Sequence, residues 1–206
     1  MKVLVLGAGG KTGGLVTERA LALGHEVTVL LRDPSRFKIS GVHEIVGDAT
    51  SAADVARALR GQDAVIDTLG GTRPYKKQTL ERTAPRNLIE AMPTEGARRL
   101  IVVSMMGIAE SRAQSPWWYK SLLIPTFLRG STADKVQMEA GVSASGLDYV
   151  IVRPPILKDG PSAGRAKVIG VGELGHAITR VDLAEFIVEQ LSKDEYLGQA
   201  VTVVNS

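Results

Sequence analysis

The sequence predicts an α/β fold: a single domain with a doubly wound, mostly parallel β-sheet and helices on both of its faces. The first reason is an alternation of predicted strands and helices: short apolar runs rich in β-branched residues alternate with segments of helical periodicity along the 206 residues. The second is the start of the chain. An apolar run over residues 2–6 breaks into a glycine turn and a helix, and another apolar run follows at residues 25–31. This order predicts a βαβ unit.

The glycine turn is the first candidate binding site. Gly7, Gly10 and Gly13 recur at every third residue, which allows a tight turn that gathers backbone N–H groups at the start of the helix. Gly9 also fits the opening of the standard dinucleotide pattern Gly-x-Gly-x-x-Gly. A triphosphate-binding loop is disfavoured, because Val5 stands where that motif requires glycine. The turn therefore predicts binding of a dinucleotide pyrophosphate.

The residues after the second strand indicate which dinucleotide binds. Arg32 is the first residue past the predicted strand, and Arg36 follows closely. A positive charge at this point accommodates the 2′-phosphate of NADP, whereas an acidic residue holds the ribose hydroxyls of NAD. Asp33 would favour NAD if the strand ended one residue later. We predict NADP(H), with Arg32 and Arg36 near the 2′-phosphate.

The remaining elements continue the alternation. Helices are predicted over residues 52–59, from Thr79, from Ser131 and after Thr179, which forms an N-terminal cap with Asp182. Further strands are predicted over residues 43–46, 64–69 and 99–104, within residues 145–155, and over residues 200–204.

Residues at the carboxyl ends of these strands are further candidates, since parallel strands end at one crevice. Asp48 follows the third strand and either caps the next helix with Thr50 or contacts the adenine. Gly70 and its small neighbours follow the fourth strand and would let a cofactor lie against the backbone. Ser104 ends the fifth strand, so its hydroxyl is expected at the crevice.

Two stretches that break the alternation, residues 105–130 and 156–178, are predicted to be loops on the substrate side. The aromatic residues of the first stretch either form an apolar lid over a flat substrate or pack on the core or on a second subunit. A monomer and a homodimer both stay open. These aromatic residues are Trp117, Trp118, Tyr119 and Phe127.

Composition limits the classes of partner and of chemistry. The net charge of +3 includes no dense basic run, which favours an anionic small molecule over nucleic acid. The chain has no cysteine, which excludes disulfides and thiolate chemistry and is typical of a cytoplasmic protein. Its apolar residues, 44% of the chain, never form a run long enough to span a bilayer. We predict no membrane association and no metal site.

Seven motifs follow one another along the whole chain: Gly7-x-x-Gly10-x-x-Gly13, Arg32 after the second strand, Val46-Gly47-Asp48, Leu69-Gly70-Gly71-Thr72-Arg73, Val103-Ser104, Ser145-Gly146-Leu147-Asp148-Tyr149 with Arg153-Pro154-Pro155, and Ile178-Thr179-Arg180-Val181-Asp182. In this order they resemble the atypical short-chain dehydrogenase/reductase family. The resemblance is to the group of NmrA-like proteins and flavin reductases of the biliverdin reductase B type. It implies a Rossmann fold, in agreement with the predicted sheet.

The resemblance also implies where NADP(H) would bind. The glycine turn would hold the pyrophosphate, Arg32 the 2′-phosphate and Asp48 the adenine. The segment after the fourth strand would flank the ribose and the phosphates, and Ser104 would lie beside the nicotinamide. Together, the predicted cofactor-binding residues are Gly7, Gly10, Lys11, Thr12, Gly13, Arg32, Arg36, Asp48, Ala49, Leu69, Gly70, Gly71, Thr72, Arg73, Ser104, Pro154, Pro155 and Ile156.

The chain departs from the carbonyl-reducing members of this family. Those carry Tyr-x-x-x-Lys, in which the phenol protonates the substrate oxygen, whereas no tyrosine here has a lysine four residues later. Hydride transfer to a conjugated acceptor needs less from the protein, because the acceptor delocalises the charge and solvent can supply the proton. Lys135 stands where the flavin reductases have a histidine, so Ser104 and Lys135 are the candidate catalytic residues. Otherwise Lys135 and Glu139, one helical turn apart, would pair on a solvated surface.

Two functions follow from these observations. The first is an NADPH-dependent reductase of a flat conjugated acceptor such as a flavin, a quinone or a tetrapyrrole. The alternative is an NADP(H)-binding redox sensor of the NmrA type, which acts through a protein partner without turnover. An isomerase or dehydratase on the same scaffold is a third. Turnover with free flavin separates the first function from the second.

Overall fold

The computed structural model describes residues 1–70, 79–126, 128–170 and 172–205. Within them the strands are β1 (Lys2–Leu6), β2 (Glu26–Leu31), β3 (His43–Val46), β4 (Ala64–Asp67), β5 (Arg99–Val103), β6 (Asp148–Arg153), β7 (Ile156–Lys158), β8 (Ala166–Ile169), β9 (Ala177–Thr179) and β10 (Gln199–Asn205). The α-helices are α1 (Lys11–Ala22), α2 (Ala52–Leu59), α3 (Leu80–Glu95), α4 (Ile124–Thr126), α5 (Arg129–Ser143) and α6 (Arg180–Glu189).

Eight of these strands form one sheet, in the spatial order β3-β2-β1-β4-β5-β6-β10-β8. Neighbouring strands are parallel except at the edge, where β8 runs antiparallel to β10. The strand order reverses between β1 and β4, and in open α/β sheets ligands bind at the carboxyl ends of the strands beside such a reversal. The doubly wound, mostly parallel sheet predicted from the sequence is therefore confirmed.

Helices cover both faces of the sheet, and each face has its own apolar core. On one face α1 and α6 pack through residues such as Val16 and Ile187, which have no exposed surface. On the other face α2, α3 and α5 contribute Leu59, Leu88 and Val142, which are equally buried. Because the central strands are buried on both sides, they have continuous apolar runs instead of alternating patterns.

The prediction was wrong by two residues at the end of β4 and at the start of α5. Strand β4 ends at Asp67 because the chain turns there: the Thr68 hydroxyl donates to the Leu6 carbonyl at 2.8 Å, and the Leu69 N–H donates to the Asp67 carboxylate at 2.9 Å. Helix α5 begins at Arg129, before the predicted Ser131, and no side-chain hydrogen bond caps its start.

The stretch over residues 156–178 is more regular than the predicted loop. It contains β7 and β9, which pair in a small parallel sheet of their own, and β8 on the edge of the main sheet. The Asp182 carboxylate ties this stretch to the start of α6, since it accepts hydrogen bonds from the Ser162 hydroxyl and the Ala163 N–H. The predicted cap is confirmed: the Thr179 hydroxyl accepts from the Asp182 N–H at 3.2 Å.

The aromatic stretch after β5 divides between core and surface. Tyr119 is buried, and the Trp118 ring meets it edge-on, with ring centroids 5.8 Å apart. Trp117 and Leu122 instead are 74% and 63% exposed. Phe127 lies outside the described residues. Part of this stretch therefore packs inward, and part presents apolar surface to solvent.

Candidate functional site

The glycine turn after β1 is sterically closed to larger residues at two positions. Gly7 has a φ of +83°, and a Cβ added there would lie 2.7 Å from the Thr68 hydroxyl. A Cβ at Gly13 would overlap the Gly7 carbonyl oxygen. At Gly10 it would lie 3.2 Å from that same oxygen, whereas at Gly9 it would meet nothing within 4 Å. The backbone therefore requires glycine at Gly7 and Gly13 and leaves little room for a side chain at Gly10.

A lysine, an arginine and the carboxylate that joins them lie beside the start of α1, which follows this turn. The N-cap residue Gly10 has no side chain to bond the first N–H groups of the helix, so these groups are suited to an anion. The Lys11 ammonium lies 2.6 Å from the Asp159 carboxylate, which also accepts a hydrogen bond from Arg180 at 2.5 Å. Hydrogen bonding to Lys11 is the main reason why the pKa of Asp159 is lowered. The loop after β7 thus lies beside the turn that begins α1.

The residues that follow β2 bear on the choice of cofactor. Strand β2 ends at Leu31, so Arg32 is the first residue past it and its side chain is exposed. The Asp33 carboxylate accepts the Ser35 N–H at 3.0 Å and caps the short turn Pro34–Arg36. Hydrogen bonds from the Ser35 side chain and backbone lower the pKa of Asp33. Asp33 is therefore engaged in its own turn, and Arg32 takes the position at the strand end.

Asp48 forms a local turn instead of capping a helix. Its carboxylate accepts both the N–H and the hydroxyl of Thr50, each at 2.8 Å, and these bonds lower its pKa. The N-cap of α2 is Ser51, whose hydroxyl accepts the Asp54 N–H at 3.3 Å. The capping alternative for Asp48 is thus wrong, and its contact with adenine stays a prediction. The next residue, Ala49, is buried.

The segment after β4 is described only in part. Leu69 is half-buried and Gly70 is exposed at the same edge of the sheet. Gly71, Thr72 and Arg73 lie outside the described residues. The cofactor contacts expected along this segment stay predictions.

Ser104 is a buried polar residue at the end of β5. It is 6% exposed, and its N–H donates to the Val152 carbonyl at 2.8 Å. Its hydroxyl has no hydrogen-bond partner among the described residues. Pro154 and Pro155 are buried at the end of the neighbouring strand, and Ile156 beyond them is 39% exposed. Because a buried hydroxyl without a partner is costly, this group is suited to bind a ligand at the crevice.

Lys135 and Glu139 do not pair with each other, and neither lies on a solvated surface. The Lys135 ammonium donates to the carbonyls of Val103 and Leu69, at 2.6 and 3.3 Å, and lies 3.4 Å from the Glu81 carboxylate. All the charged groups involved are buried. The surface pairing weighed from the sequence is therefore wrong. Helix α5 turns Lys135 inward, against the carboxyl ends of β4 and β5.

Glu139, one turn later on α5, pairs with the end of β6 instead. Its two carboxylate oxygens accept from the Arg153 guanidinium at 2.9 and 2.6 Å. The same guanidinium donates to Glu110 at 2.5 Å, which joins the segment after β5 to this pair. Hydrogen bonds from the guanidinium are the main reason why the pKa of Glu110 is lowered. Two successive turns of α5 are therefore bound to three neighbouring strands.

Sequence reasoning missed two acidic residues beside Lys135. Burial raises the pKa of Asp67 to about 6, although the Lys135 ammonium opposes the rise. A carboxylate inside an otherwise apolar predicted strand was the signal that could have revealed Asp67. Glu81 gave no such signal, because an acidic residue in the first turn of a helix is ordinary on the surface.

Tyr119 has no lysine four residues later to lower its pKa, because Leu123 stands there. Burial raises the pKa of its phenol to about 12. In the part of the chain that the structure describes, no group of three or more histidine, cysteine or acidic residues is arranged to hold a metal ion.

Known proteins share both the sequence pattern and the fold. Residues 7–194 match the NAD(P)H-binding family. A Bacillus subtilis relative, described as the uncharacterized sugar epimerase YhfK, is 28% identical over 94% of this chain and 89% of its own length. The solved structure of ChuY, an anaerobilin reductase from Escherichia coli O157:H7, is 29% identical. It matches 99% of this chain and 97% of its own, with a TM-score of 0.82.

A relative from Arabidopsis thaliana bears on location. It is an uncharacterized chloroplastic protein, 27% identical over 98% of this chain and 76% of its own length. The cytoplasmic location expected from the sequence stays a prediction beside such a relative. Across the described ranges, no helix combines the length and apolar character needed to cross a membrane.

Proposed function

Because this chain belongs to the NAD(P)H-binding family, we propose that it is an NADPH-dependent reductase that transfers hydride to a flat conjugated acceptor, such as a flavin, a quinone or a linear tetrapyrrole. Ser104 carries the proposal. Its buried hydroxyl, without a partner among the described residues, lies at the carboxyl end of β5, close to the reversal of strand order. From there it would donate a hydrogen bond to a carbonyl of the nicotinamide or of the acceptor.

The residues around the glycine turn fit a dinucleotide. A Cβ at Gly7 or Gly13 would fill the turn, so glycine keeps the backbone open to a pyrophosphate at the start of α1. Arg32, exposed at the end of β2, supports a preference for the 2′-phosphate of NADP. The cofactor, when bound, supplies the hydride. The chain's own residues hold its phosphates, orient its nicotinamide beside Ser104 and exclude water.

Two features support a conjugated acceptor over a simple carbonyl. The Tyr119 phenol lacks the lysine that carbonyl-reducing members carry four residues after their tyrosine, since Leu123 stands there. Trp117 and Leu122 present apolar surface on the segment after β5, which suits a flat apolar ring system. The likeness to a protein described as an anaerobilin reductase supports a linear tetrapyrrole among the acceptors. Solvent would supply the proton.

The same proposal covers the organisation of the chain. We take residues 1–206 as one functional domain of the short-chain dehydrogenase/reductase type, located in the cytoplasm. Residues 105–130 and 156–178 form its acceptor side, because the first stretch follows β5 and the second follows β6 at the crevice.

The proposal is tested by following NADPH oxidation with FMN, a quinone and biliverdin as acceptors, beside NADH and beside Arg32→Glu. We expect oxidation of NADPH in preference to NADH, and loss of that preference in the variant. Arg98→Glu is the matched control. Arg98 is equally a surface arginine, 76% exposed, but it precedes β5 at the amino ends of the parallel strands, away from the crevice at their carboxyl ends. This variant should therefore keep the preference.

The possible failures have different meanings. If NADPH binds and none of these acceptors is reduced, the reductase proposal fails. A redox sensor that works through a protein partner then becomes the better interpretation. If neither NADPH nor NADH binds, the assignment of the glycine turn is wrong as well. If Arg32→Glu and Arg98→Glu alter the preference equally, Arg32 does not contact the 2′-phosphate.

A further inference from the structure

The Lys135 ammonium lies between the ends of two neighbouring strands. It donates to the Val103 carbonyl, at the last residue of β5, and to the Leu69 carbonyl, just beyond β4. These strands pair in parallel up to Asp67 and Val102. The ammonium therefore links the backbone segments at the ends of β4 and β5 beyond the point where the hydrogen bonds between the two strands stop.

A buried carboxylate pairs with this ammonium, and a second one binds the same segment of backbone. Glu81 projects from α3 to within 3.4 Å of Lys135 Nζ, and the two side chains are 4% and 8% exposed. Asp67 adds a second carboxylate and accepts the Leu69 N–H at 2.9 Å. Leu69 is thus fixed at both of its backbone polar groups, one by Asp67 and the other by Lys135.

The geometry indicates that Lys135 acts through the backbone. An ammonium has three N–H groups, and here it faces two carbonyl oxygens and one carboxylate. Val103 directly precedes Ser104, and Leu69 directly precedes Gly70. Any shift of the two strand ends would therefore displace the Ser104 hydroxyl and the backbone on which the cofactor is proposed to lie.

We propose that Lys135 and Glu81 form a buried positioning pair, which fixes the separation of the β4 and β5 ends and thereby places Ser104 for hydride transfer. The proposal rests on the function proposed above, because it assigns Ser104 a contact with the reactants. It makes Lys135 a positioning residue that touches neither cofactor nor acceptor.

The test is a double-mutant cycle between the positioning pair and Ser104. The double variant Lys135→Met with Glu81→Gln removes both charges and keeps the side-chain sizes. In the background that keeps Ser104, we expect the double variant to lower kcat for NADPH oxidation by about 10²-fold, the size of effect that a displacement of about 1 Å can cause. The KM for NADPH should change less. Once Ser104→Ala is present, the same change should lower kcat by less than about threefold, since the misplaced group is already gone.

Two controls separate positioning from a general loss of structure. Lys193→Met with Glu189→Gln removes another lysine–glutamate pair, 2.5 Å apart, at the end of α6, and should leave kcat unchanged. If the double variant at residues 81 and 135 does not fold, Glu81→Gln alone takes its place in the cycle. If the change at residues 81 and 135 lowers kcat by the same factor with and without Ser104→Ala, the proposal is overturned.

Hydrogen exchange tests the proposal without any turnover. In the double variant, we expect amides of residues 68–70 and 103–106 to exchange at least about tenfold faster than in the natural chain, while amides of β1 are unchanged. Unaltered exchange in both segments overturns the positioning role. If the natural chain reduces no acceptor, the proposed function fails. Faster exchange in these segments would then still show that the pair holds the strand ends.

Discussion

The buried carboxylate of Asp67 is expected to lower stability at neutral pH, and Asp67→Asn should remove that cost. Burial is the main reason why the pKa of Asp67 is raised; Glu81 adds to the rise, and Lys135 opposes it. Asparagine has nearly the same size and keeps an oxygen that can accept the Leu69 N–H. The variant therefore removes the charge and alters little else.

The raised pKa gives the size of the effect. Asp67 holds its proton up to about pH 6 in the folded protein, against its ordinary pKa of 3.8 in the unfolded chain. Between these values the folded state binds more protons, so stability falls as the pH rises through this window. With about 1.4 kcal/mol per pKa unit, the cost is about 3 kcal/mol at about pH 7.5 and about 1 kcal/mol at about pH 4.5.

The assay is urea unfolding of the natural chain and of Asp67→Asn at these two pH values. The variant should raise the free energy of unfolding by about 2 kcal/mol more at the higher pH than at the lower pH. Any effect of the new amide group that does not depend on pH drops out of this comparison. Asp63→Asn, at an exposed carboxylate that accepts the Lys2 N–H at 2.7 Å, is the control. An equal effect of Asp67→Asn at both pH values would refute the argument.

Three further predictions follow from the same geometry. Ser104→Ala should leave the free energy of unfolding unchanged or raise it by up to about 1 kcal/mol, since the hydroxyl has no described partner, while kcat falls at least about tenfold. Gly13→Ala should abolish NADPH binding in calorimetry because its Cβ would overlap the Gly7 carbonyl, whereas Gly9→Ala, in open space, should not. Arg153→Met should destabilise the chain by about 3–5 kcal/mol in urea unfolding by leaving Glu139 buried and unpaired; replacing both by apolar residues should cost less.

The central strands of the sheet could be predicted well because the pattern that marks each of them lies within its own residues. A strand buried on both faces needs a continuous apolar run, and such runs are visible without knowledge of what packs on them. Strands β7 and β9 have three residues each, too short to show a pattern, and they exist because they pair with each other. Pairing between distant short segments leaves no periodicity in either of them.

The candidate site was predictable where it depends on strand ends and unpredictable where it depends on side-chain partners. Ser104 could be placed because parallel strands end at one edge of a sheet. The partners of Lys135 could not, because Glu81 lies on another helix and the Val103 and Leu69 carbonyls are backbone groups. The position of Arg32 depended on a strand end that could be misjudged by one residue.

The Arg153 guanidinium limits how the proposed acceptor side could adapt to molecules of different shape. It binds Glu139 on α5 and Glu110 on the segment after β5, so the start of that segment and the helix that follows it are both attached to the end of β6. A sliding movement of α5 would have to separate buried opposite charges, which is costly. If the proposed function holds, adjustment to a thicker or wider acceptor falls to the residues between Glu110 and the start of α5, which include Trp117 and Leu122. Replacing these residues with a different sequence would alter which of the proposed acceptors fit and would leave the proposed nicotinamide side unchanged.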